Sequence, residues 1–271
     1  MWARRIKYVW WMLRQGEFGP LFVDFASRVY RGLYGVVYSF AQPRHLARAS
    51  GQNAPVQLKT DHPIAYESPD HIVPWGTQND NSTNKKFVLH MAGVVDRTGA
   101  PQPRGFLDLG CSGGQLVKDF KDLGWVAVGL EGSDYSLKHQ RANWPALAGK
   151  SLFTCDITKP FELTVSGQAA QFDLITAWEV LEHIHPNDLD ALFGNLRRYL
   201  RRGGYFIAST ASTSDMHDGV ELHQCRLSNA EWKALVKQRY ADLEEASVGL
   251  RMYHYVRFNY RDPSFLVYRK R

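Results

Sequence analysis

The chain has 271 residues, 44% hydrophobic and 22% charged, a balance that supports a sizeable core and excludes a disordered or membrane-spanning protein. Its 33 Lys and Arg against 27 Asp and Glu leave a net charge of +6, all of it in residues 1–50, where eight basic side chains meet two acidic ones; from residue 51 onward the count is 25 against 25. So balanced a body excludes a general polyanion binder and leaves one basic docking surface.

The first 50 residues are predicted helical. Ile6, Val9, Trp10 and Leu13 recur at helical spacing, and after Gly19-Pro20 the series Phe22, Phe25, Val29, Leu33, Val36 and Phe40 continues on one face with Arg28 and Arg31 off it. Eleven of the 35 aromatic residues fall here. Rings beside arginines suit the headgroup layer of an anionic membrane, while packing on the main domain or on a second copy is the plainer use of such faces. Basic and aromatic residues interleave from Trp2 to Trp11 without a secretory layout, and the uncharged run Gly32 to Pro43 is too short to span a bilayer. Cys111, Cys155 and Cys225 are far apart with no CxxC pattern, which predicts a cytoplasmic, reducing setting.

Residues 51–103 are punctuated by Pro55, Pro63, Pro69, Pro74, Pro101 and Pro103, so they read as an irregular cap or linker with one short helix near Asn84 to Val95. From residue 104 to 271 the rhythm changes. Short apolar runs, Gly105 to Leu109, Trp125 to Leu130, Ser151 to Cys155, Phe172 to Trp178 and Tyr205 to Thr210, alternate with helix-like stretches. Further apolar runs near Ala246 to Leu250 and Ser264 to Tyr268 follow a helix-like Ser228 to Tyr240. Strand alternating with helix predicts an α/β fold: a mostly parallel sheet with helices on both faces and a ligand site at the strands' carboxyl ends.

The first of these strands runs into Asp108-Leu109-Gly110-Cys111-Ser112-Gly113-Gly114 and then a helix. A dinucleotide fingerprint would need glycines at 110, 112 and 115, but Ser112 and Gln115 occupy two of those places. An acidic residue two positions before the first glycine instead resembles motif I, D-x-G-x-G-x-G, of the class I S-adenosylmethionine-dependent methyltransferases. Asp108, Gly110 and Gly114 match, and Ser112 stands where the family has its middle glycine. A cofactor carrying an ammonium and a sulfonium suits a carboxylate with close backbone contacts better than a phosphate cradle does.

That resemblance implies a Rossmann-like seven-stranded sheet and assigns further residues. Glu131, at the end of the second strand, is expected to accept the ribose hydroxyls. Asp156, after the third, matches the position that binds the adenine amino group, and Cys111, Trp178 and Glu179 complete the expected cofactor contacts. The stretch Trp178-Glu179-Val180-Leu181-Glu182-His183 is similar to the ubiquinone-biosynthesis-type O-methyltransferases and the small-RNA 3′-terminal methyltransferases. Some members with Glu-x-x-Glu-His bind a divalent metal such as Mg, for which Glu179, Glu182, His183 and His223 are the candidate ligands. His183, then His223, are the candidate bases for a hydroxyl acceptor. Residues Asp70 to Gly76 and Asp80 to Asn84 resemble, more loosely, segments ahead of the domain in polysaccharide-cluster methyltransferases, where such a lid would exclude water.

Three functions stay open at this level: O-methylation of a small-molecule, glycan or lipid-linked acceptor, with the enzyme peripheral to a membrane; methylation of RNA or a nucleotide; and a non-catalytic partner that retains the fold. The neutral body favours the first. The second requires the N-terminal arginines and rings to bind phosphates and stack bases.

Overall fold

The computed structural model describes residues 53–248 and 264–271. The helices expected over residues 1–50 lie outside the described residues. In chain order the first elements are β1 (Val56–Thr60), α1 (Pro69–Ile72), α2 (Trp75–Asn79), α3 (Lys85–Asp96), β2 (Gly105–Leu109) and α4 (Gln115–Asp122). Next come β3 (Val126–Glu131), α5 (Tyr135–Lys138), α6 (Trp144–Leu147), β4 (Leu152–Thr154), β5 (Phe161–Val165), β6 (Gln168–Ala169) and β7 (Phe172–Trp178). The last are α7 (Leu189–Tyr199), β8 (Leu200–Thr210), β9 (Met216–His217), β10 (Val220–Glu221), α8 (Asn229–Arg239), β11 (Leu243–Glu245) and β12 (Ser264–Lys270).

Seven strands form one sheet in the order β11-β12-β8-β7-β2-β3-β4. The five strands from β8 to β4 are parallel, and β12 runs antiparallel to both β8 and β11. Every residue of β2 and β3 is buried, as a strand covered on both faces requires. Alternation along β2 sends Leu107 and Leu109 into a core shared with α7 and α8, and Phe106 into a second core with Phe87, Met91 and Phe120 of α3 and α4. Helix starts follow local capping chemistry: the Asn84 side chain accepts the Lys86 and Phe87 N–H groups, and Ser228 with Glu231 forms a reciprocal capping box.

Two elements of residues 51–103 pack into this body. Helix α3 buries Phe87, Val88, Met91 and Val95, and β1 pairs antiparallel with β5 in a separate three-stranded sheet completed by β6. Among the described residues no helix is long and apolar enough to cross a membrane. The chain winds outward from β2 to β4, then returns to lay β7 and β8 on the other side. The order therefore reverses between β2 and β7, and in open parallel sheets the carboxyl ends at such a reversal are where a ligand crevice forms.

Candidate functional site

Asp108 and Thr176 are register partners on adjacent parallel strands, so their side chains share one face. Thr176 Oγ1 donates to Asp108 Oδ1 at 2.6 Å, deep enough that Asp108 is 4% exposed. Burial pushes the Asp108 carboxyl up to about 8; the Thr176 bond opposes the shift, and the nearby Glu131 and Asp80 charges add to it. Glu131 ends β3 facing the turn after β2. Its Oε2 accepts the Ser112 N–H at 2.7 Å, and its Oε1 accepts Ser133 N–H at 3.2 Å and Thr77 Oγ1 at 3.4 Å. Burial also holds Glu131 above the usual carboxylate range, with the two N–H bonds working against it.

The turn between β2 and α4 is built from close approaches. Gly114, the N-cap of α4, has φ +77°, and a Cβ there would come 2.5 Å from Leu152 Cδ1. At Gly113 a Cβ would fall 2.3 Å from Asn81 Oδ1, because the segment after α2 lies directly against the turn. Ser112 has φ +46°, a left-handed backbone that disfavours a side chain. Cys111 is buried with its sulfur against Gly129.

The other expected positions separate. Asp156 sits after β4, and its Oδ1 is taken up by a local turn, accepting Thr158 N–H at 2.9 Å and Thr158 Oγ1 at 2.6 Å. Trp178 ends β7 edge-on to Phe87, with ring centroids 5.1 Å apart. Glu179 adopts φ +52°, held by donation of its N–H to Ser209, and its side chain is exposed. Helical spacing would have put Glu179, Glu182 and His183 on one face, but the left-handed residue breaks it. The four-residue ligand set is therefore gathered only in part. Glu182, His183 and His223 bring one ligand atom each within 4.8 Å of the others, without Glu179.

In that cluster Glu182 is fully buried. Its Oε1 accepts the Ala211 N–H at 2.8 Å, and its Oε2 has no partner. The His183 and His223 rings meet edge to face at 4.7 Å. His223 Nδ1 lies 2.5 Å from Thr213 O, and its Nε2 lies 3.9 Å from Asp215 Oδ2. His183 Nδ1 is 2.8 Å from Asp70 Oδ2 in α1, an ion-pair contact rather than an aligned hydrogen bond. Burial alone would lower His183, but Asp70, with Glu182 and Asp215, carries it up to about 9.

Sequence patterning missed three contributors. Thr77, Arg141 and Thr176 meet the site through polar contacts that leave no periodic signal; only Thr176, two residues before Trp178 in an apolar strand, could have been suspected as a polar residue in a buried run.

The donors meeting Asp108 and Glu131 are neutral, so ionisation of these buried carboxyls calls for a cationic ligand as the counter-charge. A pyrophosphate would be repelled. The residues thus fit an ammonium- and sulfonium-bearing cofactor. Residues 85–254, well over half of the chain, match the profile of a family described as a methyltransferase domain.

The chain belongs to the class I S-adenosylmethionine-dependent methyltransferase family.

The chain is 28% identical over 126 residues to a ubiquinone biosynthesis O-methyltransferase of Glaesserella parasuis serovar 5 (strain SH0165), covering 45% of the chain and 51% of that protein. It is 29% identical over 123 residues to the Bordetella avium (strain 197N) protein described in the same words, covering 45% of the chain and 48% of that protein. The match thus spans about half the length of these curated relatives. Among solved structures, the magnesium protoporphyrin IX methyltransferase of Synechocystis PCC 6803 with bound SAH aligns at a TM-score of 0.48 and 15% identity, covering 76% of the chain and 97% of that chain.

Proposed function

We propose that this methyltransferase transfers a methyl group to a hydroxyl of a small-molecule, glycan or lipid-linked acceptor. Asp108 and Glu131 hold the cofactor, Asp156 and Trp178 border it, and His183 faces the acceptor. S-adenosylmethionine, when bound, supplies a methyl group on a sulfonium; the chain's residues supply position and proton handling. The observation that carries the reading is His183, anchored by Asp70 after β7, the strand that flanks the Asp108 crevice. With Nδ1 committed to Asp70, Nε2 is the nitrogen left to take the acceptor's proton. The curated relatives, named as O-methyltransferases, support a hydroxyl acceptor.

The test is calorimetry with S-adenosylmethionine, followed by a screen of hydroxylated acceptors with labelled cofactor. His183→Ala should abolish turnover on any acceptor found while leaving cofactor affinity within about twofold; turnover near wild type would remove His183 from the reaction.

One observation favours a second reading of the same cluster. The unpartnered Glu182 Oε2, with His183 and His223 beside it, has the donor chemistry of a divalent metal site. A bound ion would lower the acceptor hydroxyl's pKa and gather its oxygens. For residues 1–50 we propose contact with an anionic membrane surface. Full-length protein should float with anionic but not neutral liposomes, and charge reversal at Arg4, Arg5, Lys7 and Arg14 should abolish flotation.

A further inference from the structure

We propose that Ser112 is a positioning residue: with Arg141 it latches the segment Pro69 to Asn81 onto the cofactor turn, so that filling the cofactor crevice also fixes the wall of the acceptor site. The coupling rests on the function proposed above; the latch itself rests on geometry alone.

Ser112 occupies a backbone position that glycine would take without strain, yet it carries a side chain there. Its hydroxyl lies 2.8 Å from Asp80 O and 3.2 Å from Thr77 O. A hydroxyl has one proton, so the shorter contact is the principal bond and the longer one shares it. These two carbonyls close the C-terminal end of α2, where no further turn of helix exists to satisfy them. Arg141 completes their coordination from the other side. One arm of its guanidinium donates to Thr77 O and the other to Asp80 O at 2.7 Å, so Asp80 O accepts from both residues and Thr77 O chiefly from the guanidinium. Meanwhile Trp144 Nε1 and Asn143 N–H donate to the Ser112 and Gly113 carbonyls, which fixes the turn from the same loop that carries Arg141.

Both ends of the latched segment touch functional groups. At its C-terminal end, Thr77 reaches Glu131, the carboxylate that also accepts the Ser112 N–H. At its N-terminal end, Asp70 faces His183, and Trp75 stacks on His217 of the β9–β10 hairpin at 4.4 Å and 18°. Trp75 and Asp80 are joined through a single short helix, so freeing Asp80 O loosens Trp75 and Asp70 with it. Serine at 112 therefore exchanges backbone ease for a grip on the cap.

Hydrogen exchange of the full chain, followed by mass spectrometry, tests this. The reporters are the amides of Gln78 and Asp80, which are bonded within α2 to Pro74 O and Gly76 O. Ser112→Gly removes the hydroxyl and relieves the left-handed strain; Ser112→Ala removes the hydroxyl and keeps the strain. Both should speed exchange over residues 74–82 by about five- to tenfold, the loss of roughly one hydrogen bond, with α7 unchanged. Arg141→Lys, which cannot span both carbonyls, should do the same should a Ser112 variant fail to fold. S-adenosylhomocysteine should slow exchange over residues 69–82 in wild type, and Ser112→Gly, at a ligand concentration that calorimetry shows to saturate that variant, should lose most of that protection. Wild-type exchange in both Ser112→Gly and Arg141→Lys overturns the latch, and retained protection in Ser112→Gly overturns the coupling. Failure of the wild-type chain to bind S-adenosylhomocysteine in calorimetry would sink the cofactor reading instead, with the ligand-free exchange rates still deciding the latch.

Discussion

Asp70 Oδ2 lies 2.8 Å from His183 Nδ1, so a carboxylate from the segment ahead of the domain faces the histidine that follows β7. The two residues are far apart in sequence and come from different elements, which makes the pair a product of the cap's docking rather than of local structure. Asp70→Asn keeps the size of the side chain and removes its charge. Measured at pH 9, near the value to which His183 is carried, kcat should fall about 10- to 100-fold with cofactor Kd within about twofold. The double variant Asp70→Asn/His183→Ala should be no worse than His183→Ala alone. A further loss in the double variant would give Asp70 a role that does not pass through the imidazole.

With the cofactor role proposed for it, Asp108 should make cofactor affinity depend on pH. Its carboxyl moves from 3.8 to about 8, chiefly through burial. A folded-state value above the unfolded one means that between these limits the folded protein keeps a proton the unfolded chain has lost. Stability attributable to this group therefore falls as pH rises through the window. A cationic ligand prefers the ionised carboxylate, so affinity should rise from pH 6 to pH 8 by up to about tenfold per unit and level off above. Asp108→Asn should bind at least tenfold more weakly at pH 8, show no such slope, and melt higher than wild type at pH 8. Calorimetry across the range, with melting curves at pH 5 and pH 8, checks both signs.

How much of this was legible from residues differs by element. Strands β2 and β7 start and stop where the apolar runs do, because β2 is buried throughout, β7 at all but its last residue, and both are bounded by glycine or polar residues. Strand β1 was not legible. It lies in a proline-rich stretch, and its partner β5 is about a hundred residues away, so neither composition nor period signals the pairing. The placement of Asp108 and Glu131 at neighbouring strand ends could be read because the resemblance ties them there. Glu179 could not, because its positive φ is a backbone property that Glu-x-x-Glu-His does not encode. Thr77 acts through one contact to a carboxylate and Arg141 through two carbonyls, and such contacts have no sequence period.

Metal addition separates the two readings of the Glu182 cluster. Any ion that binds only the folded protein stabilises it by mass action, about 2.7 kcal/mol at a hundredfold excess over Kd. With Glu182, His183 and His223 as ligands, Mn or Zn should raise the wild-type Tm by several degrees and leave His223→Ala unmoved. An equal rise in both proteins, or none in either, would remove the metal reading and leave His183 as a base.

Gly113 and Asn81 test the contact between cap and turn through non-additivity. A Cβ at residue 113 would fall 2.3 Å from Asn81 Oδ1, well inside contact distance, and the same oxygen accepts the Gln115 N–H at 3.2 Å at the start of α4. Gly113→Ala must therefore push the cap away or distort the turn, an overpacking that costs about 1–3 kcal/mol and several degrees of Tm. Asn81→Ala alone loses one partly exposed hydrogen bond, about 0.5–1.5 kcal/mol. Because Asn81→Ala removes Oδ1 and Cγ but leaves Cβ 2.8 Å from the new methyl, Gly113→Ala/Asn81→Ala should lose less than the sum of both losses, though more than Asn81→Ala alone. Summed losses in the melting curves would mean that the clash is met by other atoms of the turn, and that the cap does not rest on Gly113.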